Sequence, residues 1–130
     1  MTPVDLATLI VGLSLAGAVS AQAVHSDIAF GFRYSASVRD EERSDVLSRR
    51  LARVVRNQVE GVAMFAPIAI LAGSGSENGV LGWACLVYAA SRALHGILQA
   101  FGAGPIRSIT WLTGFAALLV AYVNAALTLA

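Results

Sequence analysis

The stretch Arg53-Val54-Val55-Arg56-Asn57-Gln58-Val59-Glu60 runs straight into Gly61-Val62-Ala63-Met64-Phe65-Ala66-Pro67-Ile68-Ala69-Ile70-Leu71-Ala72, which carries no charge at all. Arg53, Arg56, Asn57 and Glu60 are spaced i, i+3, i+4 and i+7, so a helix puts them on one face. The whole block, from about Val46 to Ala72, begins charged and ends apolar. Such a helix carries a polar stripe into a dry environment. That is costly unless the stripe faces a bundle interior or a wet cavity.

Three further blocks have the same length. Val4 to Val24 holds no charge after Asp5, and Gly79–Phe101 and Ile106–Ala130 are apolar along most of their course. About twenty residues at 1.5 Å each match the roughly 30 Å hydrocarbon thickness of a bilayer. Composition agrees: 57% of the 130 residues are hydrophobic and only 13% charged, about half the usual soluble fraction. The expectation is one domain over residues 1–130, an all-α integral membrane four-helix bundle with spans near 4–24, 46–72, 79–101 and 106–130. A cleaved leader is a poor account of the first block, because no Lys or Arg precedes its apolar run. Gly73-Ser74-Gly75-Ser76-Glu77-Asn78 and Gly102-Ala103-Gly104-Pro105 read as short turns between antiparallel neighbours.

All nine basic residues are arginines, and their placement gives an orientation. Arg33, Arg39 and Arg43 lie in the first loop, between His25 and about Asp45, and Arg49, Arg50, Arg53 and Arg56 follow it. The second loop has Glu77 and no base, whereas the third leads directly into Arg107. The positive-inside rule places loops one and three in the cytoplasm and both termini on the opposite side. The second span then starts where the third ends and the fourth starts. Arg53, Arg56, Glu60, Arg92, His95 and Arg107 all gather at that end. Arg92, His95 and Gln99 repeat the helical spacing of the second span. Two helix N-termini point into the same region with the positive ends of their dipoles. Arginines and helix N-termini together describe an anion site, and Glu60 can answer an ammonium on the same ligand.

Several classes are excluded or unsupported. A net charge of +1 with no basic face beyond one loop makes no case for nucleic acid. His25 and His95 lack ligand-spaced partners, so no metal is expected. Cys85 stands alone in an apolar run and reads as core. A small four-helix antiporter would want a carboxylate within the first span, where only Asp5 stands, at the edge.

The residues also carry a resemblance. Arg53 to Glu60, followed by Phe65 and Pro67, resembles the signature of the MAPEG family, the membrane-associated proteins of eicosanoid and glutathione metabolism. Ser37-Val38-Arg39-Asp40-Glu41 resembles the segment before that signature in bacterial members, and Arg92-Ala93-Leu94-His95 the third-helix motif. Pro105-Ile106-Arg107-Ser108-Ile109-Thr110-Trp111 is similar to the fourth-helix entry in the family's microsomal prostaglandin E synthase branch, which stands beside its microsomal glutathione transferases. The resemblance implies a homotrimer with glutathione bound between neighbouring subunits and a lipophilic second substrate arriving from the membrane lipids. It implies that Arg53, Arg56, Asn57, Glu60, Arg92 and His95 hold the peptide, with Gln99 where the family often has tyrosine. Arg107 and Ser108 would sit at the sulfur. The implied activity is a glutathione-dependent transferase or peroxidase acting through a thiolate. The alternative is a non-catalytic lipid-binding or structural homologue of the same fold. The small-residue faces Gly12, Ala16, Gly17 and Ala21, and Gly114, Ala117 and Ala121, permit close packing between subunits.

Overall fold

The computed structural model describes residues 1–38, 40–72 and 79–129. Arg39, the connection 73–78 with Ser76 and Glu77, and Ala130 lie outside the described residues. The helices are α1 (Pro3–Phe30), α2 (Phe32–Ser35), α3 (Val46–Leu71), α4 (Gly79–Phe101) and α5 (Gly104–Leu129). Four of them, α1, α3, α4 and α5, are long and apolar enough to cross a membrane.

Local chemistry explains where each begins. Thr2 caps α1: its hydroxyl accepts from the Asp5 amide at 3.1 Å, and the Asp5 carboxylate accepts from the Thr2 amide at 2.8 Å. Pro3 supplies a preset φ at the first helical position. Asp45 caps α3 in the same manner, accepting from the Ser48 amide at 2.6 Å while its own amide donates to the Ser48 hydroxyl at 2.7 Å. His25 Nε2 lies 3.1 Å from both Asp45 carboxylate oxygens and ties the end of α1 to the start of α3. The Ser48 amide, and after it His25, hold the Asp45 carboxyl down to about 2.

The first helix corrects the expected boundary. It continues six residues past Val24, through His25-Ser26-Asp27-Ile28-Ala29-Phe30, and what was expected to be loop is helix. Polar side chains at a helix end do not break it. It stops at Gly31, whose φ of +85° is a left-handed conformation that favours glycine. The fourth span starts at Gly104, two residues earlier than expected, with Pro105 tolerated in its first turn.

Within the bundle α4 is the central helix. It packs most extensively on α5 and then on α1, while α3 lies mainly against α1. Its buried face runs from Leu81 and Cys85 through Tyr88 and Ala89 to Arg92, His95 and Gln99. A continuous apolar core joins Val4, Ala7 and Val11 of α1 with Phe65 and Ile68 of α3 and with Leu118, Ala121 and Ala125 of α5. Cys85 is fully buried there.

The two small-residue faces have different fates. On α5, a Cβ at Gly114 would come within 3.1 Å of Ser91, and Ala121 is buried in the core, so this face is spent within the chain. On α1, Gly12 and Gly17 have nothing within 4 Å of where a Cβ would stand, so this face is open.

Candidate functional site

One end of the bundle gathers the end of α1, the start of α3, the end of α4 and the start of α5. Arg50 donates to the carbonyl of Phe101 across this end at 3.4 Å. Here α3 presents two neighbouring amides in opposite directions. Asn57 Nδ2 donates to Gln99 Oε1 at 2.6 Å and reaches toward His95 Nε2 at 3.4 Å. Gln58 Nε2 donates to the carbonyl of Arg92 at 3.0 Å.

Close approach of α3 and α4 depends on two glycines in a reciprocal arrangement. A Cβ at Gly61 would stand 2.6 Å from Arg92 Nε, and a Cβ at Gly96 would stand 2.6 Å from Gln58 Nε2. Each helix thus drops a side chain at the level where the other inserts a polar one. Arg92 threads past Gly61 and donates to the backbone carbonyl of Asn57.

The ionisable residues at this end divide by burial. Arg92, His95 and Gln99 are only 3%, 4% and 4% exposed. Asn57 and Arg107 are half-buried, whereas Arg53, Arg56, Glu60 and Ser108 are exposed. Arg53, Arg56 and Glu60 share the outer face of α3 on either side of Asn57. Among the described residues none of them forms an ion pair, so Arg56 and Glu60 are not paired with each other despite their i, i+4 spacing. Among the described residues Arg92 likewise forms no direct ion pair, and its Nε is a buried donor without an acceptor. Gln58 Oε1 is a buried acceptor without a donor. Glu60, one turn along α3 from Asn57, acts on the Arg92 charge through space without a direct ion pair.

His95 joins α4 to α5. Its Nδ1 is 3.0 Å from the backbone carbonyl of Arg107. A carbonyl only accepts, so Nδ1 carries the proton and the lone pair of Nε2 faces the Asn57 amide. An open pocket of about 400 Å³ lies beside this ring, lined by Asn57, His95, Arg107, Ser108, Trp111 and Leu112. Its lining combines four polar side chains with the apolar Trp111 and Leu112. Trp111 is stacked on Phe115 with ring centroids 5.2 Å apart.

The structure therefore brings Asn57, Arg92, His95, Gln99, Arg107 and Ser108 together. It leaves Arg53, Arg56 and Glu60 on the adjoining exposed face, outside the pocket lining. Sequence reasoning missed Gln58, Gly61, Gly96, Tyr88 and Trp111. Gln58 had a signal: it is a polar side chain three residues before a glycine in an apolar helix, off the Arg53 stripe. Tyr88 donates to the Gly61 carbonyl at 2.7 Å and closes the polar end against the core. Among the described residues no group of three His, Cys, Asp or Glu side chains is placed to hold a metal ion.

No curated protein and no solved structure matches the chain. The model of the MAPEG family matches residues 5–127, nearly the whole length, and so covers all four membrane-length helices and every residue of the polar cluster. By that match the chain belongs to the MAPEG family.

Proposed function

We propose that this protein is a membrane-embedded, glutathione-dependent transferase or peroxidase that presents glutathione as a thiolate to a lipophilic electrophile or hydroperoxide. The observation that carries the proposal is the pocket in which Arg107 and Ser108, in the first turn of α5, meet Asn57 and His95 beside an apolar wall. Family membership supports the glutathione-related class of chemistry.

The donor set suits the tripeptide. Glutathione brings two carboxylates, one ammonium and one thiol. Arg53 and Arg56 stand unpaired beside Asn57, Glu60 answers the ammonium, and Arg92, His95 and Gln99 form the buried layer behind them. The buried Arg92 Nε has a hydrogen bond still to donate, which suits an anion nearby.

A free thiol has a pKa of about 8.5, so little thiolate exists at neutral pH. Arg107 adds a full charge to the partial positive charge at the α5 N-terminus, and the Ser108 hydroxyl can donate to the same sulfur. Lowering the pKa by about 2 units requires roughly 3 kcal/mol of preferential stabilisation of the anion. One arginine in a poorly solvated site is of the right size for that. The thiol proton leaves to water. The sulfur then forms a bond to carbon as the electrophile's leaving group departs, or to a peroxide oxygen as the O–O bond breaks.

In a bilayer the exposed Arg53, Arg56 and Glu60 need a polar cover, and the open Gly12–Gly17 face of α1 offers a seat for a neighbour. A homotrimer with glutathione between subunits meets both needs. The arginine asymmetry orients loops one and three to the cytoplasm; a cysteine at Ser37 that labels only from the outer side of a sealed membrane would reverse it.

The test of function is Arg107→Leu in protein shown by sizing to be intact. The thiolate absorbance band and turnover should vanish while glutathione affinity stays within about threefold, because Arg107 acts on the sulfur alone. An intact variant that turns over like the parent would remove Arg107 from the chemistry. A parent that binds no glutathione would favour the non-catalytic, lipid-binding homologue.

A further inference from the structure

We propose that His95 is a positioning residue that sets the direction of Arg107, by holding the first turn of α5 through a backbone carbonyl. This rests on the thiolate role of Arg107.

Both ring nitrogens of His95 are engaged inside the chain. Nδ1–H donates to the Arg107 carbonyl at 3.0 Å, and Nε2 faces the Asn57 amide at 3.4 Å. The ring is only 4% exposed, and its Nδ1–H is already committed within the chain. What it reaches is the main chain of the residue proposed to act on the sulfur. The same carbonyl also accepts from Thr110 Oγ1 at 2.8 Å, so it is held from within α5 and from α4 at once.

The need for such a strut is local. Between Phe101 and Gly104 lie only Gly102, with φ of +77°, and Ala103. Pro105 then contributes no amide hydrogen to the first turn. The His95 ring adds a side-chain tie from α4 to this turn, beside the extensive packing of α5 on α4. The strut continues beyond the ring, because Asn57 Nδ2 donates to Gln99 Oε1 at 2.6 Å. One imidazole and two amides thereby join α3, α4 and α5 at the level of the pocket. A charge acting on sulfur loses effect steeply with distance in a poorly solvated site, so a small rotation of this turn weakens the thiolate without removing any residue from the pocket.

The experiment compares His95→Gln with His95→Asn. In asparagine Nδ2 is bonded to Cγ as Nδ1 is in histidine, so a donor toward the Arg107 carbonyl survives; glutamine places its amide nitrogen one bond further out, in the position of Nε2. In intact His95→Gln the apparent pKa of bound glutathione should rise by about one unit, a tenfold loss of thiolate at neutral pH, with affinity changed less than threefold. His95→Asn should recover most of that shift. A second readout needs no glutathione: the ¹⁵N resonances of labelled parent that are missing from His95→Asn should report a ring protonated at Nδ1. An Nε2–H ring would overturn the strut, and so would His95→Gln with the parent's thiolate or His95→Asn as impaired as His95→Gln. A parent with an Nδ1–H ring that never forms a thiolate would sink the role of Arg107, and with it the positioning role, while leaving the hydrogen bond itself standing.

Discussion

At the level of Phe65, α3 and α4 meet through two rings stacked with centroids 5.4 Å apart, and Ile68, Leu81, Cys85 and Ala89 around them are shut off from the surface. One to two turns along the same helices, the corresponding layers hold Asn57, Gln58, Arg92 and His95. The apolar half is specified by shape. The polar half is specified by hydrogen bonds and two glycines; among the described residues it holds two of three buried atoms without partners, Gln58 Oε1 and Arg92 Nε, the third being Asn124 Oδ1 on α5. Tyr88 marks the seam: its ring belongs to the apolar half and its hydroxyl to the Gly61 carbonyl. An apolar layer would close the same gap without burying an arginine, so packing stability alone does not account for the polar half.

The contrast can be broken first at the seam. Tyr88→Ala should destabilise the bundle by about 3–5 kcal/mol, the usual cost of emptying a buried aromatic site. Tyr88→Phe, which loses only the hydroxyl, should cost about 1 kcal/mol. Equal losses in thermal unfolding of the two variants would mean that the hydrogen bond, not the ring, carries the seam.

Arg92→Met sharpens it from the other side. Removing a buried cation that forms no direct ion pair among the described residues should leave stability within about 1 kcal/mol of the parent or raise it. Glutathione affinity should fall at least tenfold if the charge serves the ligand, the scale of one charge-assisted interaction. A strongly destabilised variant would show Arg92 to be a structural element, and the contrast between the halves would fail.

The smallest effect concerns the clamp between α1 and α3. Asp45 is held near 2 against an ordinary 3.8, first by the Ser48 amide and then by His25. A carboxyl lowered on folding contributes stability above its unfolded value and loses it as pH falls through the folded one. Thermal midpoints should therefore drop between about pH 4 and pH 2 in the parent, and less so in Asp45→Asn, which keeps a good cap without the acid. Parallel curves for the two proteins would remove Asp45 from the acid response.

Much of this molecule is legible in its residues taken in order. Hydrophobic length announces four spans, because a bilayer demands about twenty apolar residues per crossing whatever lies beside them. The i, i+3, i+4, i+7 spacing of Arg53, Arg56, Asn57 and Glu60 fixes a polar face, since helical geometry is local. The motifs from Arg53 to Trp111 point to the family whose model the chain matches. The end of α1 was less legible, because His25, Ser26 and Asp27 look like loop, yet nothing breaks the helix before Gly31.

Which polar residue is buried and which is open was decided only by packing. Arg53 and Arg92 read alike in the sequence, but Arg92 is enclosed because Gly61 lies opposite it, on the preceding membrane-length helix. Asn57 and Gln58 are neighbours, and only the placement of α4 sends one to His95 and Gln99 and the other to the Arg92 carbonyl. Burial and hydrogen-bond partnership depend on what the neighbouring helix presents at the same depth, and that is set by tertiary contact rather than by spacing within one helix.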